Sequence, residues 1–324
     1  MNTVKKPPAA QVRILEIHLE QVGQRIDNFL FSHLKGVPKS RIYRCLRRGE
    51  VRVNKSRITS SYRLQQGDQV RIPPLRVSHP PLKRPIAHFL LFLIKNSLLY
   101  EDKELLILDK PAGIPVHGGS GVSYGIIEVL RALRPEATFL ELVHRLDRET
   151  SGCLMIAKTR GTLLTLQAMQ QKQLIHKRYL ALVKGRWRKN VQRVDLPLLK
   201  NISRSKERIV KVSPAGKPAA SRFYPKLFYR DEATLVEVAL ETGRTHQIRV
   251  HATHLGHPLG GDEKYGDSTF NKRLRYLGLR RLFLHASQLI FTLPEGKKTI
   301  KTIAPLPEEL NAVMEAYAIK IGTK

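Results

Sequence analysis

The stretch FLELVHRLDRETSGCLMIAK, residues 139–158, sets a polar loop between two apolar runs. Residues 139–143 and 154–157 have the length and side chains of buried strands. HRLDRETSG, residues 144–152, joins them. Asp147 stands between Arg145 and Arg148, and Gly152 permits a sharp turn where the second run begins. A carboxylate held among guanidinium groups stays ionised, because opposite charge favours its charged form. That suits a nucleophile or an electrostatic anchor better than a proton donor. An Asp that only caps a turn explains the string equally well, so the loop by itself leaves the role of Asp147 open.

Outward from this loop, strand-like segments recur at 105–108, 179–183, 235–240, 289–293 and 299–303. The last two flank Pro294-Glu295-Gly296, a hairpin signal. Helical spacing of apolar residues predicts helices over 126–133, 162–173, 246–255 and 308–318. Strands outnumber helices and do not alternate with them strictly. The fold class expected is therefore α+β, with a mixed, mostly antiparallel sheet rather than a doubly wound one.

Upstream the pattern is different. Residues 1–20 read as a loose arm with a lead-in strand. A helix is then expected from Gln24, with Ile26, Phe29, Leu30 and Leu34 facing a core. A second follows Pro38, with Ser40 as N-cap, Gly49 as stop, and Ile42, Cys45 and Leu46 inward. Short strands are expected through Val51 and Val53 and through Val70 and Ile72, with turns at Asn54-Lys55 and Gly67-Asp68. Pro73, Pro74, Pro80, Pro81 and Pro85 mark a stiff linker. The expected organisation is an arm over 1–20, a small domain over 21–75, a linker over 76–97 and a larger domain over 98–324. The greasiest run, IAHFLLFLI at 86–94, is far shorter than the roughly 20 residues that span a bilayer; it reads as a buried strand or a linker that packs.

Charge narrows the function. There are 57 Lys and Arg against 27 Asp and Glu, a formal net charge of +30 in a chain of 324 residues. Hydrophobic residues make up 42%, enough for a real core, so the excess belongs to a folded surface that attracts polyanions. A solubilising surface or an attraction to anionic lipid is the blander alternative, but nucleic acid is the commonest such partner. Between Lys35 and Arg63 there are ten Lys or Arg and a single acid. Arg41, Arg44, Arg47, Arg48, Arg52 and Lys55 are the RNA-binding candidates there. Cys45 and Cys153 are isolated, as in a reducing compartment, and MNTVKKPPAAQ lacks the apolar stretch of a signal peptide. A cytoplasmic protein with no membrane partner is expected.

Two further constellations carry chemistry. In TGRTHQIRVHATHLGHP, residues 242–258, Thr245 can cap a helix that buries Ile248, Ala252 and Leu255 and stops at Gly256. Arg244 precedes its first turn, where it could hold a phosphate or pair with a carboxylate. His246, His251, His254 and His257 invite a zinc site, but the spacings are not those of a zincin and no Cys or Glu completes a set; no metal is expected. In KRYLALVKG, residues 177–185, Tyr179 opens a strand. Packing at the core edge is the usual fate of such a ring, and stacking on a base is the functional alternative.

Together with VHGGSG (116–121), HPLGGDEKYGD (257–267) and RLFLHA (281–286), these segments resemble the RluA family of pseudouridine synthases, in order and at fitting spacings across residues 98–305. The N-terminal QRIDNFLFSHLKGVPKSRIYRCLRRGEVRVN is similar to the S-four-like RNA-binding domain shared with a ribosomal small-subunit protein. That pairing and the phrase GVPKSRIYR point to the branch labelled C, which modifies large-subunit (23S) ribosomal RNA. The resemblance implies isomerisation of uridine to pseudouridine in a flipped nucleotide, with no cofactor. It implies that Asp147 is the essential carboxylate, acting on the sugar as nucleophile or as base. It makes Arg244 the ion-pair partner of Asp147. Tyr179 would stack on the uracil and help proton loss from the carbon that accepts the sugar. Arg145 would fill the gap left by the extruded nucleotide. A catalytically inactive RNA-binding or ribosome-assembly factor is the alternative; a metal-dependent nuclease or glycosidase ranks below both, for want of an acidic cluster or a carboxylate pair.

Overall fold

The computed structural model describes residues 11–34, 36–75, 85–119, 122–188, 190–202, 208–294 and 298–322. It divides into a small unit within residues 1–85 and a larger one within 86–324.

The small unit comprises β1 (Arg13–Glu16), α1 (Ile26–His33), α2 (Lys39–Arg48), β2 (Arg52–Val53) and β3 (Gln69–Ile72). Its antiparallel sheet has the order β1-β3-β2. Ile26, Phe29 and Leu30 of α1 and Ile42, Cys45 and Leu46 of α2 form one stripe per helix and bury it with Val53, Val70 and Ile72. Asn54 and Lys55 are both left-handed, with φ 49° and 66°, as a two-residue hairpin turn requires. Residues 11–20 belong to this unit rather than to an arm: β1 pairs along β3 and Ile17 is buried in the core. Residues 1–10 and 76–84 lie outside the described residues. Ser40 is not the cap of α2; Pro38 holds that position and Lys39 opens the helix, while Gly49 ends it at φ 68°.

In the larger unit the elements are α3 (His88–Lys95), β4 (Leu98–Glu101), β5 (Leu105–Lys110), α4 (Ile126–Leu133), β6 (Glu141–Leu142), β7 (Ser151–Ala157), α5 (Arg160–Gln171), β8 (His176–Lys184), β9 (Gln192–Asp195), β10 (Leu198–Ile202), β11 (Arg208–Val212), β12 (Ala220–Tyr229), β13 (Ala233–Leu240), α6 (Gln247–His254), α7 (Ser268–Tyr276), β14 (Leu284–Thr292), β15 (Thr299–Ile303) and α8 (Glu308–Gly322). The main sheet runs β4-β5-β7-β14-β8-β13-β12-β9, with β15 on β14 and β6 on β7; β10 and β11 form a separate ribbon. Among the described residues only the β7–β14 pair is parallel, so the sheet is mixed and mostly antiparallel, and the fold is α+β.

Both faces of this sheet are covered, which is why its central strands read as unbroken apolar runs. Leu106 and Leu108 of β5 point to one core, with α4 and with Ile248 and Ala252 of α6. Leu105 and Ile107 point to the other, with Leu166 and Met169 of α5. Residues 86–94 do pack, but as a helix and not as the strand or irregular linker expected. They contribute α3, whose Leu90, Leu91 and Ile94 pack on the first core while Phe89 and Phe92 stay 74% and 67% exposed. A short run that is apolar at almost every position carries no period, so length and composition could not separate the two states. The hairpin expected at Pro294-Glu295-Gly296 falls partly outside the described residues, but β14 and β15 pair antiparallel from Thr292↔Thr299 onward.

One glycine is required by the sheet itself. Gly152 has φ +105°, and a Cβ there would stand 2.3 Å from the Ala286 carbonyl oxygen, its neighbour across the parallel β7–β14 seam. Gly152→Ala is expected to cost ~2–4 kcal/mol, the sum of backbone strain and an overpacked seam. Urea unfolding measures it, and a loss below ~1 kcal/mol would contradict the seam geometry.

Candidate active site

Asp147 lies in the loop between β6 and β7, and the surrounding backbone pins that loop. Its carbonyl accepts from Thr150 N at 3.1 Å, and Gly113 N donates to the next carbonyl, that of Arg148, at 2.9 Å. Arg148 returns a bond from Nε to the Gly113 carbonyl at 2.8 Å. Beneath, the fully buried Lys110 points its ammonium at three carbonyls, of Pro111 (2.7 Å), Ile114 (2.8 Å) and Arg148 (3.1 Å). Burial pushes this amine down to about 7, and its three carbonyl partners tie the 111–114 segment to the Asp147 loop.

The Asp147 side chain is 18% exposed and opens onto a cavity of about 300 Å³. That is the lower end of the size range of small-molecule sites. Arg145, Lys177, Tyr179, Arg244, His246 and Arg249 share its wall with Asp147. The structure therefore brings Asp147, Tyr179, Arg145 and Arg244 to one place, but it pairs them differently from expectation. Arg249 Nη1, not Arg244, stands 3.7 Å from Asp147 Oδ2, with His246 Nε2 at the same 3.7 Å. Arg244 is exposed and its Nε donates to the Pro218 carbonyl at 3.0 Å. The reason is helix phase. Arg244 precedes α6, whereas His246 and Arg249, three residues apart, project from one face of it.

Arg249 is held from behind. Its Nε and Nη2 donate to the two oxygens of Asp262 at 2.7 and 2.8 Å, and its guanidinium lies 4.9 Å over the Tyr265 ring. Asp262 is 1% exposed and also accepts from Lys264 N and Tyr265 N, both at 2.9 Å. Burial pushes the Asp262 carboxyl up, but Arg249 and the two amides outweigh it and hold it below its ordinary range. Only one edge of the guanidinium is left for Asp147.

His246 adopts a left-handed backbone, φ 54° and ψ 20°, at the N-cap of α6. Thr245 does not cap this helix; Gln247 bonds the preceding turn, accepting from Arg244 N at 2.9 Å and from Thr242 Oγ1 at 2.8 Å. Tyr265 Oη accepts from Val210 N at 3.0 Å and lies 2.8 Å from His246 Nδ1. That contact fixes the ring with Nε2 turned toward Asp147, 3.7 Å from Oδ2. Burial pulls the imidazole pKa down, against the charge of Asp147. The other histidines of the segment have separate duties: His251 is buried between Ser221 and the Leu196 carbonyl, His257 bonds the Lys184 carbonyl, and His254 is exposed. Among the described residues no three His, Cys, Asp or Glu cluster as metal ligands do.

Tyr179 comes from β8, opposite Val238 of β13, and is 6% exposed. Burial first, then the charges of Asp147 and Cys153, push its phenol well up, so it presents a protonated ring to the cavity. Two residues earlier on the same strand face, Lys177 Nζ donates to Gln170 Oε1 at 2.6 Å, and burial alone lowers its pKa to about 8. In the small unit, Arg44, Arg47, Arg48, Arg52 and Lys55 are exposed, while Arg41 turns to Glu50 at 3.3 Å. Tyr43, Arg47 and Arg57 border a groove of about 590 Å³ beside α2.

Lys110, Lys177, His246, Arg249 and Asp262 were not among the residues singled out for catalysis. Asp262 carried a usable signal: an acid in an apolar, glycine-rich turn needs a buried cation, and Arg249 sits one helix turn into the adjoining segment.

Known proteins resemble this chain in both of its units. Residues 104–254 match the family of RNA pseudouridylate synthases, and residues 24–70 match the S4 domain. The chain is 51% identical to a protein of Pasteurella multocida named ribosomal large subunit pseudouridine synthase C, over 94% of each chain. It is 51% identical to the protein of that name in Escherichia coli K12, over 96% of this chain and 98% of that one. Among solved structures it superposes on human RNA pseudouridylate synthase domain containing 4 with TM-score 0.59 and 27% identity, over 71% of this chain and 96% of that one. A cavity with one carboxylate, a clamped guanidinium and a buried tyrosine thus stands on a fold and a sequence that agree: the chain belongs to the RNA pseudouridylate synthases.

Proposed function

We propose that this synthase converts uridines of large-subunit ribosomal RNA to pseudouridine in the cytoplasm, with Asp147 as the residue that starts the reaction. The observation that carries the residue assignment is the placement of Asp147 beside Arg249 and His246 in a cavity also walled by Tyr179. Its relatives' names support the substrate, and no helix of the described residues is long and apolar enough to cross a membrane.

The isomerisation breaks the bond from ribose C1′ to N1 of uracil and makes one from C1′ to C5. The C5 proton is lost and N1 gains one, so the nucleotide keeps its composition and no external oxidant or group donor is consumed. Asp147 acts on the ribose, either by attack at C1′ or by taking a proton from the sugar. Arg249 and His246, each 3.7 Å from its carboxylate, keep its charge available without a close ion pair that would blunt it. Tyr179, protonated by burial, serves as a stacking face and hydrogen-bond donor rather than as the base that removes the C5 proton. Extrusion of the target costs a few kcal/mol for a stacked base and less in irregular single-stranded RNA; Arg145 is suited to fill the vacated place. The exposed arginines around α2 supply affinity through phosphates, without reading sequence.

Carbodiimide mapping of ribosomal RNA from a strain lacking the protein is expected to lose specific pseudouridine stops in the large subunit, restored by the wild-type gene. Persistence of every stop would turn the substrate assignment down and favour an RNA-binding role without base conversion.

A further inference from the structure

We infer that Lys177 is a catalytic residue of the isomerisation, an ammonium placed to stabilise the negative charge on the uracil carbonyls as the base leaves the sugar. The inference rests on the uridine-isomerising reading of the cavity and adds to it.

Charge on the departing base has to be met somewhere. Whether the carboxylate attacks C1′ or removes a sugar proton, the C1′–N1 electron pair goes to uracil, whose charge spreads over N1 and the two carbonyl oxygens. The other cations on the cavity wall are either paired or open to solvent, which weakens their charge at the base. Arg249 is saturated by Asp262 on one edge and faces Asp147 on the other, on the sugar side of the reaction. Arg145 and Arg244 are exposed.

Lys177 remains. It lies two residues from Tyr179 on the same face of β8, about 6.6 Å along the strand, and both line the cavity. A base stacked on Tyr179 therefore has a carbonyl within reach of Nζ. The ammonium makes one hydrogen bond, to Gln170 Oε1 at 2.6 Å, and Gln170 is itself fixed by donating to the Val143 carbonyl at 3.2 Å. No carboxylate lies within 4.0 Å of it among the described residues, and two of its three donors have no partner there. A cation half-buried without a counter-charge is costly unless the substrate brings one. The surroundings favour the base over a phosphate: Leu240 of β13 stands opposite Lys177 and Gln170 is bonded to the Val143 backbone, so a backbone phosphodiester anion would lose its water beside apolar side chains. Preorganised charge of this kind acts mainly in the transition state.

The test uses the full-length protein and an oligoribonucleotide spanning a uridine mapped as above. Lys177→Met is expected to bind this RNA within about threefold of wild type and to convert it ~10²-fold more slowly in a single turnover. Lys177→Gln carries the same expectation and serves if the methionine variant does not fold. With 5-fluorouridine at the target, whose base is a better leaving group, the deficit in base detachment should shrink about tenfold. A rate unchanged at saturating RNA, a loss confined to affinity, or an equal deficit on both bases would overturn the proposal. Failure of the wild-type protein to convert the oligonucleotide would instead count against the ribosomal RNA reading.

Discussion

Asp147→Asn is expected to lower pseudouridine formation by ~10⁴-fold or more while leaving RNA affinity within about twofold. Asparagine keeps the shape of the side chain but is neither a nucleophile nor a base at the sugar, and groups that act as the chemical centre of a site show losses of this order or larger. The fold should tolerate the change. Arg249 keeps its bidentate bond to Asp262, Lys110 keeps its three carbonyls, and His246 keeps Tyr265, so no buried charge is orphaned. Single-turnover conversion together with a binding titration separates the two quantities. A variant that converts uridine within tenfold of wild type would remove Asp147 from the mechanism.

Asp262→Asn is expected to act on stability and chemistry at once. It leaves the guanidinium of Arg249, mostly buried, with an amide in place of its strongest partner, and removing one member of a buried pair costs ~3–5 kcal/mol. Freed from its clamp, Arg249 can swing to form a closer pair with Asp147, which ties up the carboxylate. Urea unfolding should show the stability loss, and single-turnover rates at a temperature where the variant is folded should fall ~10-fold or more with affinity little changed. A variant both as stable and as fast as wild type would show that the clamp has no part in positioning. The two outcomes distinguish a positioning role for Asp262, through Arg249, from the direct role on the sugar proposed for Asp147.

Much of this was legible before any coordinates. The strand–loop–strand around Asp147 is β6 and β7, and the helix read over residues 126–133 is α4, residue for residue. The strands show as apolar runs bounded by a polar loop, and α4 has a strong period and a clear start: Gly125 sits at its N-cap, and Glu128 takes the Gly118 and Gly125 amides. What escaped notice lacks such signals. In α7 only Phe270 and Leu274 are apolar and buried, one stripe position per turn, although Asp267 caps the helix by accepting from Phe270 N at 2.7 Å. β9, β10 and β11 run through a stretch dense in Lys and Arg, where short alternations are masked by charge. At the site, sequence distance misled: Arg244 and Arg249 lie in one string, and only the phase of α6 shows that the second faces Asp147. The partnership of Arg249 with Asp262, and of Lys177 with Gln170, depends on which strands and loops meet, which local spacing does not encode.

The parallel pairing of β14 with β7 has a consequence for when the enzyme becomes competent. In the sheet, β14 lies between β7, which follows the Asp147 loop, and β8, which carries Lys177 and Tyr179. Residues 284–292 thus wedge between segments synthesised more than a hundred residues earlier by the ribosome. Until they emerge, the half that bears the carboxylate and the half that bears the aromatic ring have no shared backbone ladder, and the nascent chain can hold neither in register with the other. Translation order therefore delays the appearance of activity: a chain growing off one ribosome cannot edit RNA before its own late strand has slotted home.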